Sequence, residues 1–256
     1  MPVFNFALFA QFGPSLAAIF LIASYEGKEG LKRTLKSIIN WQVGWGWILL
    51  AASFELVLFL GFTGIYWYRY KELQVMSGFN LATGITSLVG TFIVGLFRWG
   101  LAEEIGWRGW MFPKLQSRMS PFKASMILAV VVSLWHLDPY SLSKILSPQN
   151  GMYIAGYYPA VVERLIISIP ITLVITYIFN NTKGSLLPMI IFHSTSNTSY
   201  FWVEDVFRIT QTEFFKTLFL LAMLALMMPF SILVIKQRKK VLSQKSTETG
   251  SGALCS

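Results

Sequence analysis

Two adjacent glutamates, Glu103 and Glu104, lie inside an otherwise apolar stretch that runs from Trp99 to Trp110. A carboxylate at membrane depth costs about 2.5–3.5 kcal/mol on insertion scales, so two neighbouring ones indicate a buried polar site. Glu104 and Arg108 are four residues apart, so on a helix they share a face and can pair. Glu103 points about 100° away around the helix, where no basic residue follows at the same spacing. This pattern predicts that Glu103 is the carboxylate available for proton transfer.

Further polar groups that can take part in chemistry occur in two later apolar runs. His136 ends one run, and His193 and Asn197 lie in another; the chain has no other histidine. His193 and Asn197 are four residues apart, so both can direct donors toward one point, as stabilisation of an oxyanion requires. At about 1.5 Å per helical residue, these three and Glu103 reach depths of about 12–22 Å from the same membrane face. The sequence therefore predicts one site built by three helices.

Each of these residues also has a purely structural interpretation. Glu104 and Arg108 can form a buried ion pair with no catalytic role, and His136 can be a packing residue near a helix end. Asn197 lies in a run of serines and threonines and can join helices through hydrogen bonds. The common depth of the polar groups favours a functional site over scattered structural polarity. Glu55 is a further acid in an apolar run, and the sequence indicates no role for it.

The composition places these residues in a membrane protein. The chain has 256 residues, of which 54% are hydrophobic and 13% charged, and its mean hydropathy is +0.56. A soluble domain carries about 25% charged residues. The net charge is +9, but the basic residues lie in loops and in the tail between apolar runs. This placement predicts contact with anionic lipid of the bilayer and no nucleic-acid partner.

Seven apolar runs are long enough, or nearly so, to cross the hydrocarbon core of a membrane. They cover residues 3–24, 45–68, 81–112, 121–137, 161–180, 185–202 and 214–235. The basic amphipathic stretch from Glu26 to Trp41 predicts either a helix on the membrane surface or a solvated connector. We therefore predict an all-α polytopic membrane helical bundle of about seven transmembrane helices. It forms a single domain over residues 1–242, followed by a flexible cytoplasmic tail over residues 243–256.

The distribution of Lys and Arg predicts the orientation of the bundle. Of the 21 basic residues, 13 fall on one side of the predicted spans and six on the other, while Arg98 and Arg108 lie within the third run. Cytoplasmic loops carry the excess of basic residues. We expect a multi-pass protein of the plasma membrane with its C-terminus in the cytoplasm and its N-terminus outside.

Three motifs occur in an order that resembles a known family. They are Glu103-Glu104-x-x-x-Arg108, Trp135-His136 and His193-x-x-x-Asn197. Over roughly residues 80–200 the chain is similar to the CPBP family, the Abi/CAAX-protease group of intramembrane endopeptidases related to Rce1, and to its bacterial branch in particular. Val132 stands where the family often has phenylalanine, and family members usually have eight helices.

The resemblance implies an intramembrane glutamic endopeptidase that cleaves a membrane-associated peptide or protein near its C-terminus. Eukaryotic and archaeal relatives act after a prenylated cysteine, whereas many bacterial members process other peptides. Carried over by position, Glu103 would activate water with help from His136, and His193 and Asn197 would hold the oxyanion. The Glu104–Arg108 pair would shape the site or contact substrate. No metal is implied.

Three alternatives remain open. A zinc peptidase could use Glu103, His136 and His193 as ligands and water as the fourth. Against zinc, the chain has no H-E-x-x-H motif, and Asn197 beside His193 better fits an oxyanion donor. A non-catalytic peptide-binding role, as in family members linked to bacteriocin immunity, is the second alternative. A proton-relaying transporter is a weaker one, because the sequence has no visible inverted repeat.

Overall fold

The computed structural model describes the backbone of residues 11–136 and 151–251, and the side chains of residues 11–136 and 162–237. These residues form helices and no strand, which confirms the predicted all-α class. The start of the first predicted span and the end of the predicted tail, residues 3–10 and 252–256, lie outside the described residues.

Seven helices follow one another along the described parts of the chain. They are α1 (Gly13–Ile38), α2 (Trp45–Tyr70), α3 (Leu81–Gln116), α4 (Pro121–Trp135), α5 (Gly151–Asn181), α6 (Leu187–Phe207) and α7 (Glu213–Ser251). Four helical stretches are long and apolar enough to cross a membrane: Trp45–Tyr70, Leu81–Gln116, Val162–Asn181 and Glu213–Gln237. The chain is therefore a multi-pass membrane protein. The apolar α4 has 15 residues and is about 22 Å long, short of a full crossing.

Local sequence determines where α3 and α4 begin. The Asn80 side chain accepts a hydrogen bond from the Thr83 backbone N–H at 3.0 Å, and the Thr83 hydroxyl accepts one from the Asn80 N–H at 3.1 Å. This capping box satisfies two N–H groups at the first turn of α3. At the start of α4 the Ser120 side chain accepts a hydrogen bond from the Lys123 backbone N–H at 3.4 Å, and Pro121 occupies the first turn, where a missing N–H costs nothing.

A kink at Gly27 divides α1 into an apolar part and a basic part. Gly27 has φ 62° and ψ −155°, a conformation that a side chain disfavours. The kink falls where the apolar run ends and the basic stretch with Lys28, Lys32 and Lys36 begins. The basic stretch is thus helical, as one of the two predicted alternatives requires.

Packing divides the described chain into two compact units. The first lies within residues 11–113 and 181–219 and contains α1, α2, most of α3, and α6. There α6 lies along α2, with ring centroids 5.8 Å apart between Phe54 and Phe192 and 6.2 Å apart between Phe59 and Tyr200. It also packs against α3, where the Ser194 hydroxyl donates to the Phe92 carbonyl oxygen at 2.9 Å.

The second unit lies within residues 114–180 and 220–251 and contains α4, most of α5 and most of α7. The buried hydroxyls of Ser125 and Thr176 are 2.8 Å apart and join α4 to α5. A chain of amides joins the ends of α3 and α5 to α7: Gln116 donates to Asn180 at 3.2 Å, and Asn180 donates to Gln237 at 3.0 Å.

Candidate active site

The two glutamates lie on a part of α3 whose turns are wider than those of an α-helix. π-Helical turns over Leu96–Leu101 and Ile105–Met111 flank the short α-helical stretch Ala102–Glu104. A π-turn inserts a residue into the helix, which rotates the neighbouring side chains and takes backbone groups out of the regular ladder. Such turns are rare and are found mostly at functional sites. The backbone of α3 is therefore irregular at the position where the chemistry is predicted.

Glu104 accepts hydrogen bonds from two helices. Arg108 Nη1 donates to Glu104 Oε1 at 2.8 Å, and His193 Nδ1 of α6 lies 2.7 Å from the same oxygen. Glu104 is fully buried and Arg108 nearly so. The predicted pairing of Glu104 with Arg108 is confirmed. Because a carboxylate only accepts hydrogen bonds, His193 carries a proton on Nδ1, and this contact fixes the plane of the ring while leaving Nε2 for other partners.

Glu103 is buried but pairs with a different kind of group. Trp107 Nε1 donates to Glu103 Oε2 at 3.0 Å. No basic residue lies four residues after Glu103, as expected, but Trp107 occupies that position and its indole N–H is a hydrogen-bond donor that the sequence analysis did not consider. No cation within the described residues lies at ion-pair distance from Glu103, unlike Glu104. The two glutamates therefore differ in charge environment, as predicted.

Asn197 makes a hydrogen bond within its own helix. Its Nδ2 donates to the backbone oxygen of His193 at 3.3 Å, across the expected four-residue spacing. An amide nitrogen carries two N–H groups, so this contact uses one and holds the other in a defined direction. That His193 and Asn197 address one oxyanion stays a prediction.

His136 ends α4 and belongs to the second compact unit. It is exposed, and its Nδ1 lies 2.7 Å from the Val132 carbonyl oxygen one turn earlier. If Nδ1 donates there, Nε2 is the basic nitrogen of the neutral ring. The expected partnership of His136 with Glu103 stays a prediction.

The structure brings Glu104, Arg108 and His193 together, with Glu103 beside Glu104 in the chain. Close packing of α3 on α6 makes this contact possible, since a side chain at Gly100 would place its Cβ 2.7 Å from the Ile190 carbonyl oxygen. Sequence reasoning missed Trp107 as a partner of Glu103, although its four-residue spacing was a usable signal. Within the described residues, no three His, Cys, Asp or Glu side chains form a group suited to a metal ion.

Comparison with known proteins identifies the central part of the chain. Residues 84–199 match the family described as Type II CAAX prenyl endopeptidase Rce1-like. This segment of the chain is therefore similar to the Rce1-like family. The matched segment carries all six predicted site residues, from Glu103 to Asn197.

One curated relative extends this comparison beyond the family segment. CAAX prenyl protease 2 of Methanococcus maripaludis is 32% identical over 155 residues, which are 59% of this chain and 53% of that protein. The chain thus spans about half the length of the curated relative that it matches.

Proposed function

We propose that this Rce1-like protein is an intramembrane endopeptidase that hydrolyses a peptide bond near the C-terminus of a membrane-associated peptide or protein. The observation that carries the proposal is the buried cluster in which Glu104 binds both Arg108 and His193, while the adjacent Glu103 has no cationic partner among the described residues. A pair of buried acids with divided roles is what general acid–base hydrolysis needs.

In the proposed reaction, Glu103 accepts a proton from water with help from His136, and the water oxygen attacks the scissile carbonyl carbon. The resulting oxyanion accepts hydrogen bonds from His193 Nε2 and from the second N–H of Asn197. For Nε2 to donate while Nδ1 donates to Glu104, the His193 ring carries both protons, and the negative charge of Glu104 stabilises that cation. The C–N bond then breaks, and the proton on Glu103 passes to the leaving amine.

The proposed roles of Glu104 and Arg108 follow from burial. Glu104 orients the His193 ring, in the way that a buried carboxylate orients a catalytic histidine in other hydrolases. Arg108 neutralises Glu104, which otherwise would be an uncompensated charge in an apolar interior. Both residues support the site without touching the scissile bond.

A carboxamide in place of Glu103 tests the function directly. We expect Glu103→Gln to lower kcat by about 10²–10⁴-fold, because the amide cannot accept the proton from water. The purified protein in lipid vesicles is incubated with a peptide that ends in a farnesylated Cys-a-a-X, and release of the tripeptide is followed by mass spectrometry. Glu72→Gln removes an exposed acid and serves as the matched control. Full turnover by Glu103→Gln would contradict the proposal.

The substrate class is a separate question. We propose a prenylated C-terminal peptide, in line with the name of the curated relative. The same peptide without its farnesyl group, and a peptide lipidated at the other end, provide the comparison. Equal kcat/KM for all three would show that the prenyl group is not recognised. Binding of these peptides without cleavage by the wild-type protein would instead favour the non-catalytic alternative.

We further propose that the reaction needs no metal, with zinc as the competing hypothesis. Glu103, His136 and His193 are chemically acceptable zinc ligands, so the two hypotheses use the same side chains. Elemental analysis of active protein and activity after dialysis against a chelator separate them. Stoichiometric zinc, together with loss of activity that added zinc restores, would contradict a metal-free mechanism.

A further inference from the structure

Helix α1 lies outside the family segment 84–199, yet it contacts the glutamate-bearing part of α3 on both sides of the two acids. Before them, Ser15 Oγ donates to the Leu101 carbonyl oxygen at 2.8 Å. Ser15 is 3% exposed, so water does not compete effectively for this bond. Leu101 is two residues before Glu103 and ends the first π-helical turn.

After the two acids, the contact is steric. A Cβ built on Gly106 would lie 2.6 Å from the carbonyl carbon, the oxygen and the Cβ of Pro14. All three distances are far below van der Waals contact, and two of the three Pro14 atoms belong to the backbone. Only glycine therefore allows α3 to come this close to α1. Gly106 is two residues after Glu104 and lies in the second π-helical turn.

The Pro14–Ser15 part of α1 makes both contacts, and its proline restricts the backbone there. Pro14 lies in the first turn of α1, where its ring fixes φ near the helical value and its missing N–H costs no hydrogen bond. Pro14 and Ser15 are both buried. The Ser15 hydroxyl gives the Leu101 carbonyl oxygen, at the end of the first π-turn, a hydrogen-bond donor from another helix.

We propose that the Pro14–Ser15 segment of α1 positions the catalytic glutamates, and that Ser15 is a positioning residue for Glu103 and Glu104. The bond at Leu101 holds the end of the first π-turn, and the close approach at Gly106 holds the start of the second. Together they fix the position of the two glutamates, which lie between Leu101 and Gly106. The kinetic part of this inference rests on the proposed peptidase function; the structural part does not.

Kinetics of Ser15 variants test the role in catalysis. We expect Ser15→Ala to lower kcat about tenfold with little change in KM, because a small displacement of the acids affects the transition state more than substrate binding. Ser15→Thr keeps the hydroxyl and should restore most of kcat. Ser231→Ala is the matched control, since that serine also donates to a backbone oxygen, at 2.7 Å, but within its own helix α7.

A glycine pair on α3 tests the close approach. Gly106→Ala introduces the Cβ that meets Pro14, whereas Gly90→Ala introduces the same methyl group where no atom lies within 4 Å. We expect Gly106→Ala to lower kcat more than Gly90→Ala does, at equal amounts of folded protein. Equal kcat for the two variants would overturn the proposal.

Hydrogen exchange decides the structural part whether or not the protein cleaves the chosen peptide. In full-length protein in vesicles, amides of residues 99–111 should exchange faster in Ser15→Ala than in wild type or Ser231→Ala, as measured by mass spectrometry. Unchanged exchange would overturn the proposal. Faster exchange with unchanged kcat would overturn the positioning role and leave a structural contact. If wild-type protein shows no cleavage, the proposed function fails, while the exchange result still decides the contact.

Discussion

Glu104 and Glu103 are neighbours in the chain, yet their removal should cost different amounts of stability. Glu104→Ala leaves the Arg108 guanidinium buried without its anion, which costs about 3–5 kcal/mol. Glu103→Ala leaves an indole N–H without an acceptor, which costs about 1–3 kcal/mol. Thermal unfolding in detergent measures both. Equal melting temperatures for the two variants would mean that Arg108 has another anionic partner.

The indole of Trp107 is the only hydrogen-bond donor to Glu103 that the described residues provide, so it directs the carboxylate. Trp107→Phe keeps an aromatic ring and removes the N–H. We expect kcat to fall about tenfold, as for a misdirected general base, with KM changed little. Trp110→Phe on the next turn is the control, since that residue stacks on Tyr25 with centroids 6.4 Å apart. A fall in kcat that is the same for both variants would argue against a specific role of Trp107.

Glu55 of α2 is a buried acid with no place in the proposed mechanism. It is 1% exposed, and neither carboxylate oxygen has a hydrogen-bond partner among the described residues. An unsatisfied buried polar group is destabilising, so Glu55→Leu should raise the free energy of unfolding by about 1–3 kcal/mol. The melting temperature in detergent reports the change, and Glu72→Leu, at an exposed position two residues after α2, is the control. A lower melting temperature for Glu55→Leu would indicate that the carboxylate has a stabilising partner.

At the scale of helices, the distance between α3 and α6 controls the bond between Glu104 and His193. Gly100→Ala would press a methyl group against the backbone of Ile190 and separate the two helices. We expect kcat to fall about tenfold or more, because the His193 ring loses its orienting contact. The open position Gly90 on the same helix supplies the control. Retention of full kcat by Gly100→Ala would show that the Glu104–His193 contact is dispensable.

The helices and one part of the site were predictable from sequence, for a simple reason. Apolar runs give the positions of helices, and four-residue spacing gives neighbours within one helix, such as Glu104 with Arg108. The contact of Glu104 with His193 was not predicted, because a common depth does not decide which side chains of two helices meet. The π-turns of α3 were not predicted, and the residues that pack closely on them, Pro14 against Gly106 and Ile190 against Gly100, belong to other helices. The hydrogen bond from Asn197 to its own helix is likewise a rotamer choice that spacing alone does not decide.

At the scale of the whole molecule, the distribution of charge yields a prediction about topology. From the 13 basic residues on one side of the spans we predict that the C-terminus lies in the cytoplasm and that the membrane is the plasma membrane. Cys255 is the only cysteine, so labelling of its thiol shows on which side of the membrane the tail lies, and no cysteine has to be introduced. In sealed right-side-out vesicles, a membrane-impermeant maleimide should label Cys255 only after detergent opens them. Labelling of intact vesicles would reverse the predicted orientation.

The amide chain from Gln116 through Asn180 to Gln237 joins helices of the second unit through uncharged groups. Gln237 also donates to the Tyr177 carbonyl oxygen at 3.2 Å, so every link is neutral. Carboxamide side chains have no acid–base equilibrium in the ordinary pH range, whereas the contacts of the Glu104 cluster are made by ionisable side chains. Acid or alkali should therefore loosen the region around the glutamates before it breaks the hydrogen bonds among these three carboxamides.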